Sequence, residues 1–268
     1  MALYSDQFDA RFDFPEAVAQ RTLVIASTPR CGSHFLGHAI QPLGLFGSPF
    51  EYANPANLAK WREVLDRRPL PDVINGLQAR RTSPNGVFSI KVHRQHLDNF
   101  GGIAAMLALL PDARFVHLRR RDIMGQAISF AIARQTGVWI TRQQGNGAEP
   151  RYDFLAIHDC LVQLTDHNAD WQRLIATSGR PAIALDFEDA KTDLSQAVSQ
   201  IAALMDVPLA DHGPAIAERT RQQGGDRNAE WRAKFIADYR SGRYTRPIAM
   251  RRLRRAAAQV RRVVKGMD

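Results

Sequence analysis

Long apolar runs are missing from this 268-residue chain. No stretch of about 18 apolar residues occurs, so no membrane-spanning helix is expected. Cysteine is nearly missing too. Cys31 and Cys160 have neither metal-ligand spacing nor the look of a disulfide framework, and a reducing, cytoplasmic setting is the default. The N-terminus, MALYSDQFDARFDFPEA, carries acids and lacks an apolar core, so it does not read as a secretory signal. Internal repeats and low-complexity tracts are absent. No G-x-x-x-x-G-K-[ST] motif occurs, which argues against ATP or GTP hydrolysis and against a kinase. A cysteine phosphatase needs an arginine six residues after its nucleophile, and Gly37 stands at that distance from Cys31. No metal-ligand set is visible.

What is present is ordinary for a globular protein: 45% hydrophobic and 24% charged residues, enough for one large domain. The formal charge of +9 is uneven. Residues 246–268 hold Arg246, Arg251, Arg252, Arg254, Arg255, Arg261, Arg262 and Lys265 against Asp268 alone, a net +7 that leaves +2 for the body. The expected organisation is therefore a domain over 1–245 and a basic amphipathic C-terminal helix over 246–268. A nucleic-acid binder would spread its charge over a broad face.

The chain is organised around Thr22 to Leu36, TLVIASTPRCGSHFL. Leu23 to Ala26 reads as a buried parallel strand. Ser27 to Gly32 breaks the pattern, and a helix begins at Ser33. A strand, a tight turn and a helix N-terminus form an anion cradle, because unpaired N–H groups and the helix dipole face the turn. Arg30 adds a forked cation suited to phosphate or sulfate. An ordinary turn with a solvated arginine is the alternative.

Loops, helices and strands then alternate. Leu43 to Asn54 is a loop carrying Glu51 between Phe50 and Tyr52, a candidate general base or a plain surface acid. Residues 56–81 read as one helix with Trp61, Val64 and Leu65 on a common face. Val87 to Val92 is a second strand whose Lys91 can point into a site or snorkel at its rim. A helix over 102–110 leads to a third strand, Arg114 to Leu118. Arg119 to Arg121 follow it, and a helix from Ile123 to Arg134 carries Ser129. A strand-end arginine and that serine could grip one phosphate together, or be a solvated cation and a packing residue. Gln143 to Pro150 is a loop and Tyr152 to Thr177 a long helix. Ile183 to Phe187 is a fourth strand, and a helix runs from about Lys191 to Met205. Arg219 to Trp231 reads as a loop able to close over an anion, with helices over 229–240 and 248–265. The alternation predicts an α/β fold with a parallel sheet flanked by helices, with ligands beyond the carboxyl ends of the strands.

A turn with one cation, paired with Arg…Ser after a later strand, resembles the P-loop-like fold of sulfotransferases that use 3′-phosphoadenosine-5′-phosphosulfate (PAPS). Within that superfamily the chain resembles the trehalose 2-sulfotransferase family. The resemblance runs from about Leu23 to Trp231, through ASTPRCGSHFL, GSPFEY, TSPNGVFSIK, LRRRDIMGQAISFAIARQTGVW and RQQGGDRNAEW. It implies that Arg30, Cys31, Gly32 and Ser33, with His34, form the 5′-phosphosulfate loop. It implies that Arg120 and Ser129 hold the 3′-phosphate, that Arg121 could share that role, and that Arg221 or Arg227 closes over the nucleotide. Glu51 matches the family's general base, with Arg30 as its catalytic cation. Phe187 stands near a tyrosine that approaches adenine. Ser48 and Lys91 fall in the acceptor region. Ser48 stands where trehalose-specific members carry a second carboxylate, and His93 replaces an apolar residue. The implied reaction is in-line sulfuryl transfer from PAPS to a hydroxyl of a sugar or glycolipid, with no metal, by a homodimer.

The basic tail repeats Met250, Leu253, Ala257, Val260 and Val264 at helical spacing. Such a helix either rests on the inner membrane surface or packs on the body or a partner subunit. A non-catalytic nucleotide- or nucleic-acid-binding module led by this tail is the alternative to an enzyme.

Overall fold

The computed structural model describes residues 5–140, 143–209, 225–245 and 247–250. Four parallel strands form one sheet in the order β2-β1-β3-β4. They are β1 (Arg21–Ser27), β2 (Val87–His93), β3 (Ala113–Arg119) and β4 (Ala182–Asp186). The parallel α/β expectation holds. β1 is buried from Thr22 to Ser27, and its apolar run serves both faces of the sheet. Val24 and Ala26 join one core with Phe88, Ile90, Phe115 and Trp171. Leu23 and Ile25 join the other with Leu36, Val116 and Ile201. Such two-sided burial explains why the strand reads as a continuous hydrophobic run rather than an alternating one.

After β1 the chain forms α1 (Ser33–Ile40), then α2 (Pro55–Val64) and α3 (Leu70–Arg81), before β2 on one side of β1. It passes through α4 (Ile103–Leu109) to β3 on the other side. The order thus reverses between β1 and β3, and the crevice at that switch point is where open α/β sheets bind ligands. Next come α5 (Ile123–Thr136), α6 (Phe154–Ser178), β4, α7 (Phe187–Thr192), α8 (Leu194–Met205) and α9 (Asp226–Arg240).

Four sequence expectations change. Residues 56–81 are two helices, because Asp66 takes φ +49 and Pro69 with Pro71 restarts the chain as α3. Val64 consequently lies 38% exposed while Trp61 is buried. The fourth strand ends at Asp186, and Phe187 opens a helix. Lys191 to Met205 is interrupted at Asp193, whose side chain caps α8 by accepting from Gln196 N at 2.8 Å. The basic segment is helical from Asp226, so Arg227 lies in a first helical turn rather than in a loop. Arg221 and the tail beyond Met250 lie outside the described residues. Among the described residues no helix is long and apolar enough to cross a membrane.

The N-terminal segment is clamped over the Glu51 loop by a buried arginine. Arg81 is 1% exposed, and its Nε lies 2.8 Å from Asp13 Oδ1. Its Nη2 donates to Asp9 O at 3.2 Å, and the guanidinium lies 5.2 Å from the Trp61 ring centre. Removing one member of a buried pair strands the other, so Arg81→Ala is expected to lower the unfolding free energy by about 3 kcal/mol. Urea denaturation measures it. A loss under about 1 kcal/mol would show the pair behaving like a surface ion pair.

Candidate active site

The turn after β1 is shaped by two residues with positive φ, Arg30 at +65° and Gly32 at +97°. Glycine is required at 32 twice over, since a Cβ there would run into the Phe187 ring. Arginine at φ +65° is strained, and its neighbours hold it. From α5, the fully buried Gln126 donates through Nε2 to Pro29 O at 2.7 Å and Thr28 Oγ1 at 2.9 Å. Arg30 Nε donates to Ser129 Oγ at 2.9 Å, and Nη1 donates to the Trp139 carbonyl. The turn ends at α1, whose first N–H groups have no partner within the helix.

Arg120 approaches from the end of β3. Its Nη1 donates to the Arg30 carbonyl at 3.4 Å, and its Nη2 lies 3.6 Å from Asp122 Oδ2. Its Nε is buried and has no hydrogen-bond partner among the described residues. Burial, with Arg120 nearby, pulls the Arg30 guanidinium below its ordinary value. Two guanidiniums crowded at a switch point, one with an orphaned donor, fit an anionic ligand. Asp122 caps α5, accepting from Gly125 N at 3.0 Å, and also receives Arg232 from α9.

Other sequence-named residues fall into place around this pair. Arg30, Ser129, Arg227 and Asn228 line one cleft of about 650 Å³ with Gly145 and Pro150. Arg121 is turned outward instead, held by Asp189 at 2.5 and 2.7 Å. The structure therefore gives the crevice Arg120 and not its neighbour. Cys31 is fully buried, and burial pushes its thiol up. Its thiol is held within the turn by hydrogen bonds with Thr28 and Ser33. Phe187 lies beside the turn, its ring centre 5.8 Å from the Arg120 guanidinium carbon.

Glu51 reaches the neighbouring strand end by a local device. Gly47 turns the loop at φ +64°, where a Cβ would sit 2.7 Å from Arg81 O. Phe50 then pairs with the edge of β2, accepting from Lys91 N at 2.9 Å. The next side chain, Glu51, projects over the C-terminal end of β2. There Lys91 Nζ lies 3.0 Å from Glu51 Oε1, His93 Nε2 3.2 Å and His34 Nε2 3.9 Å. Asn54 Nδ2 donates to Oε2 at 3.3 Å. Burial pushes the Glu51 carboxyl up, but Lys91 and His93 outweigh it and hold the group well below the carboxylate range. Burial and the Lys91 charge hold the His34 imidazole well below its usual value. The carboxylate is ionised at neutral pH, and a neutral, partly exposed imidazole stands beside it.

Ser48 does not reach this site. It is fully buried and donates to Phe12 O at 2.9 Å beneath the N-terminal segment. Lys91, 2% exposed, meets the site from beneath the carboxylate. Sequence reasoning missed Gln126, Arg232 and the Trp139 carbonyl, which act through contacts far apart in the chain. His93 was visible only as a departure from an apolar position. Among the described residues no cluster of His, Cys, Asp or Glu could hold a metal ion.

Comparison with known proteins bears on the family and the fold. A family model described as Stf0 sulphotransferase matches residues 22–238. A curated relative, trehalose 2-sulfotransferase of Mycobacterium tuberculosis, is 25% identical over 82% of this chain and 96% of its own length. Among solved structures, the sulfotransferase domain from the curacin biosynthetic pathway superposes with a TM-score of 0.52 at 16% identity, covering 80% of this chain and 83% of that one. The protein is thus a transferase, and the alternative of a non-catalytic module led by the basic tail is set aside. The family match takes in all four strands and both arginine-bearing strand ends, and the chain belongs to the Stf0 sulphotransferase family.

Proposed function

We propose that this sulfotransferase takes its sulfuryl group from PAPS and delivers it to a hydroxyl of a carbohydrate or glycolipid acceptor. The observation that carries the donor is the convergence of Arg30 and Arg120 at the β1–β3 switch point, with Arg120 Nε without a hydrogen-bond partner among the described residues. In this reading Arg120 and Ser129 hold the 3′-phosphate. The Arg30 turn, Gly32, Ser33 and His34 hold the 5′-phosphosulfate, and Arg227 flanks the nucleotide. PAPS supplies an electrophilic sulfur on a phosphosulfate anhydride.

Glu51 is the acceptor of the hydroxyl proton. It is ionised before the reaction, so it can take a proton without first losing one. Its partners make it a weak base and a well-oriented one, and orientation is the first requirement for proton transfer. Arg30 and the first amides of α1 are fixed before substrate arrives, as preorganised donors must be to stabilise charge that develops on the leaving side.

The name of the mycobacterial relative supports a sugar hydroxyl as acceptor. Ser48, buried beneath Phe12, supplies no second carboxylate for a disaccharide, which favours a sugar or lipid-linked glycan gripped differently from trehalose. Residues 1–245 form the catalytic domain in this reading. The arginine-rich tail suits an anionic membrane surface that presents a lipid-linked acceptor to a cytoplasmic enzyme. A homodimer is the assembly to test.

Two substitutions separate the roles. Glu51→Gln is expected to leave affinity for adenosine 3′,5′-bisphosphate intact by calorimetry while turnover with labelled PAPS falls about 10²–10⁴-fold. Normal turnover would remove Glu51 as the base. Arg120→Ala is expected to weaken the bisphosphate far more than adenosine 5′-monophosphate, by on the order of 10- to 100-fold for a lost charge-assisted hydrogen bond. Equal losses for both nucleotides would refute the 3′-phosphate assignment.

A further inference from the structure

We infer that His93 is the positioning residue that fixes the charge and orientation of the Glu51 carboxylate, through a buried Ser27–His93–Glu51 hydrogen-bonded chain. This rests on Glu51 as the base. Ser27 and His93 are paired in register at the ends of β1 and β2. Ser27 Oγ lies 2.9 Å from His93 Nδ1, and His93 Nε2 lies 3.2 Å from Glu51 Oε1. Ser27 is fully buried and His93 is 7% exposed.

When the ring is neutral, only one tautomer satisfies all three groups. An ionised carboxylate can only accept, so Nε2 must carry the proton. Nδ1 is then an acceptor, and the Ser27 hydroxyl is its donor. Ser27 is itself anchored, because its carbonyl accepts from Trp171 Nε1 at 2.9 Å. The chain therefore runs from a fixed strand end to the carboxylate with no loose link.

The other groups facing Glu51 do not duplicate this role. Lys91, also on β2, is a point charge whose ammonium rotates freely and neutralises without defining a plane. His34 on α1 stands 3.9 Å away and is held neutral. His96, in the turn after β2, is pushed down to about 3 by burial with His93 alongside. Its two ring nitrogens have no hydrogen-bond partner among the described residues, so it does not compete for the His93 proton. Asn54 meets the opposite oxygen at 3.3 Å. Among the described residues, His93 joins the carboxylate to the rigid sheet through a ring N–H of fixed direction.

The test reads the carboxyl directly and needs no acceptor. Protein labelled with [5-¹³C]glutamate is titrated by NMR, and the Glu51 signal is assigned by its loss in Glu51→Gln. A donor to the charged form lowers a carboxyl pKa, so removing it must raise the midpoint. In His93→Leu the Glu51 midpoint is expected to rise by about one pH unit. His93→Gln, which keeps a side-chain N–H, is expected to recover most of that shift. Ser27→Ala, which frees the tautomer but keeps the ring, is expected to move the midpoint the same way by less. An unchanged midpoint in a folded His93→Leu protein would overturn the inference. Should His93→Leu fail to fold, an unchanged midpoint in Ser27→Ala would do the same. Because the readout is acceptor-free, it stands apart from the turnover result that judges Glu51 as base.

Discussion

β1 is buried from Thr22 to Ser27 and runs parallel to both of its neighbours. Parallel pairing brings the carboxyl ends of β1, β2 and β3 to one edge, and the chemistry depends on that edge. The β1–β2 register places Ser27 against His93 and Ile25 against Lys91, so Lys91 and His93 rise on the same face of β2 two residues apart. The β1–β3 side carries the turn at Arg30 and the segment at Arg120. A slip of one residue in the β1–β2 pair would send Lys91 and His93 to the opposite face and leave Glu51 buried without a cation. The two-sided hydrophobic core that fixes register is thus also what fixes the electrostatics of the site.

The sequence was legible where one signal sufficed. Four strands could be placed from short runs of branched residues, and the arginine turn from Pro29, Gly32 and the helix that follows. Glu51, Lys91 and His93 were each noticed singly, but their meeting was not readable, because it depends on Phe50 pairing with β2 forty residues away. The burial of Ser48 was not readable for a related reason: it is decided by Phe12, on a segment with no regular pattern of its own. The boundary errors have local causes. The break between α2 and α3 needs Asp66 in the left-handed region, which only a structure reveals. The start of α9 at Asp226 hid behind the Gly-Gly pair before it, which read as loop.

Two charge arrangements of opposite kind lie side by side at the strand ends. At Glu51 a half-buried carboxylate is already met by an ammonium and an imidazole N–H, so its charge is compensated before any ligand arrives. At the β1–β3 crevice two guanidiniums share a small volume, and burial depresses one of them. Bringing two like charges together and partly burying one is costly, and a bound anion offsets that cost. The first arrangement changes little when ligand binds, and it is suited to handling a proton. The second concentrates positive charge and is suited to holding an anion. The proposed transfer of an anionic group from a nucleotide to a hydroxyl needs both, next to each other, on a support that does not rearrange. The shared strand β1, holding His93 through Ser27 at one flank and carrying Arg30 at its end, is that support.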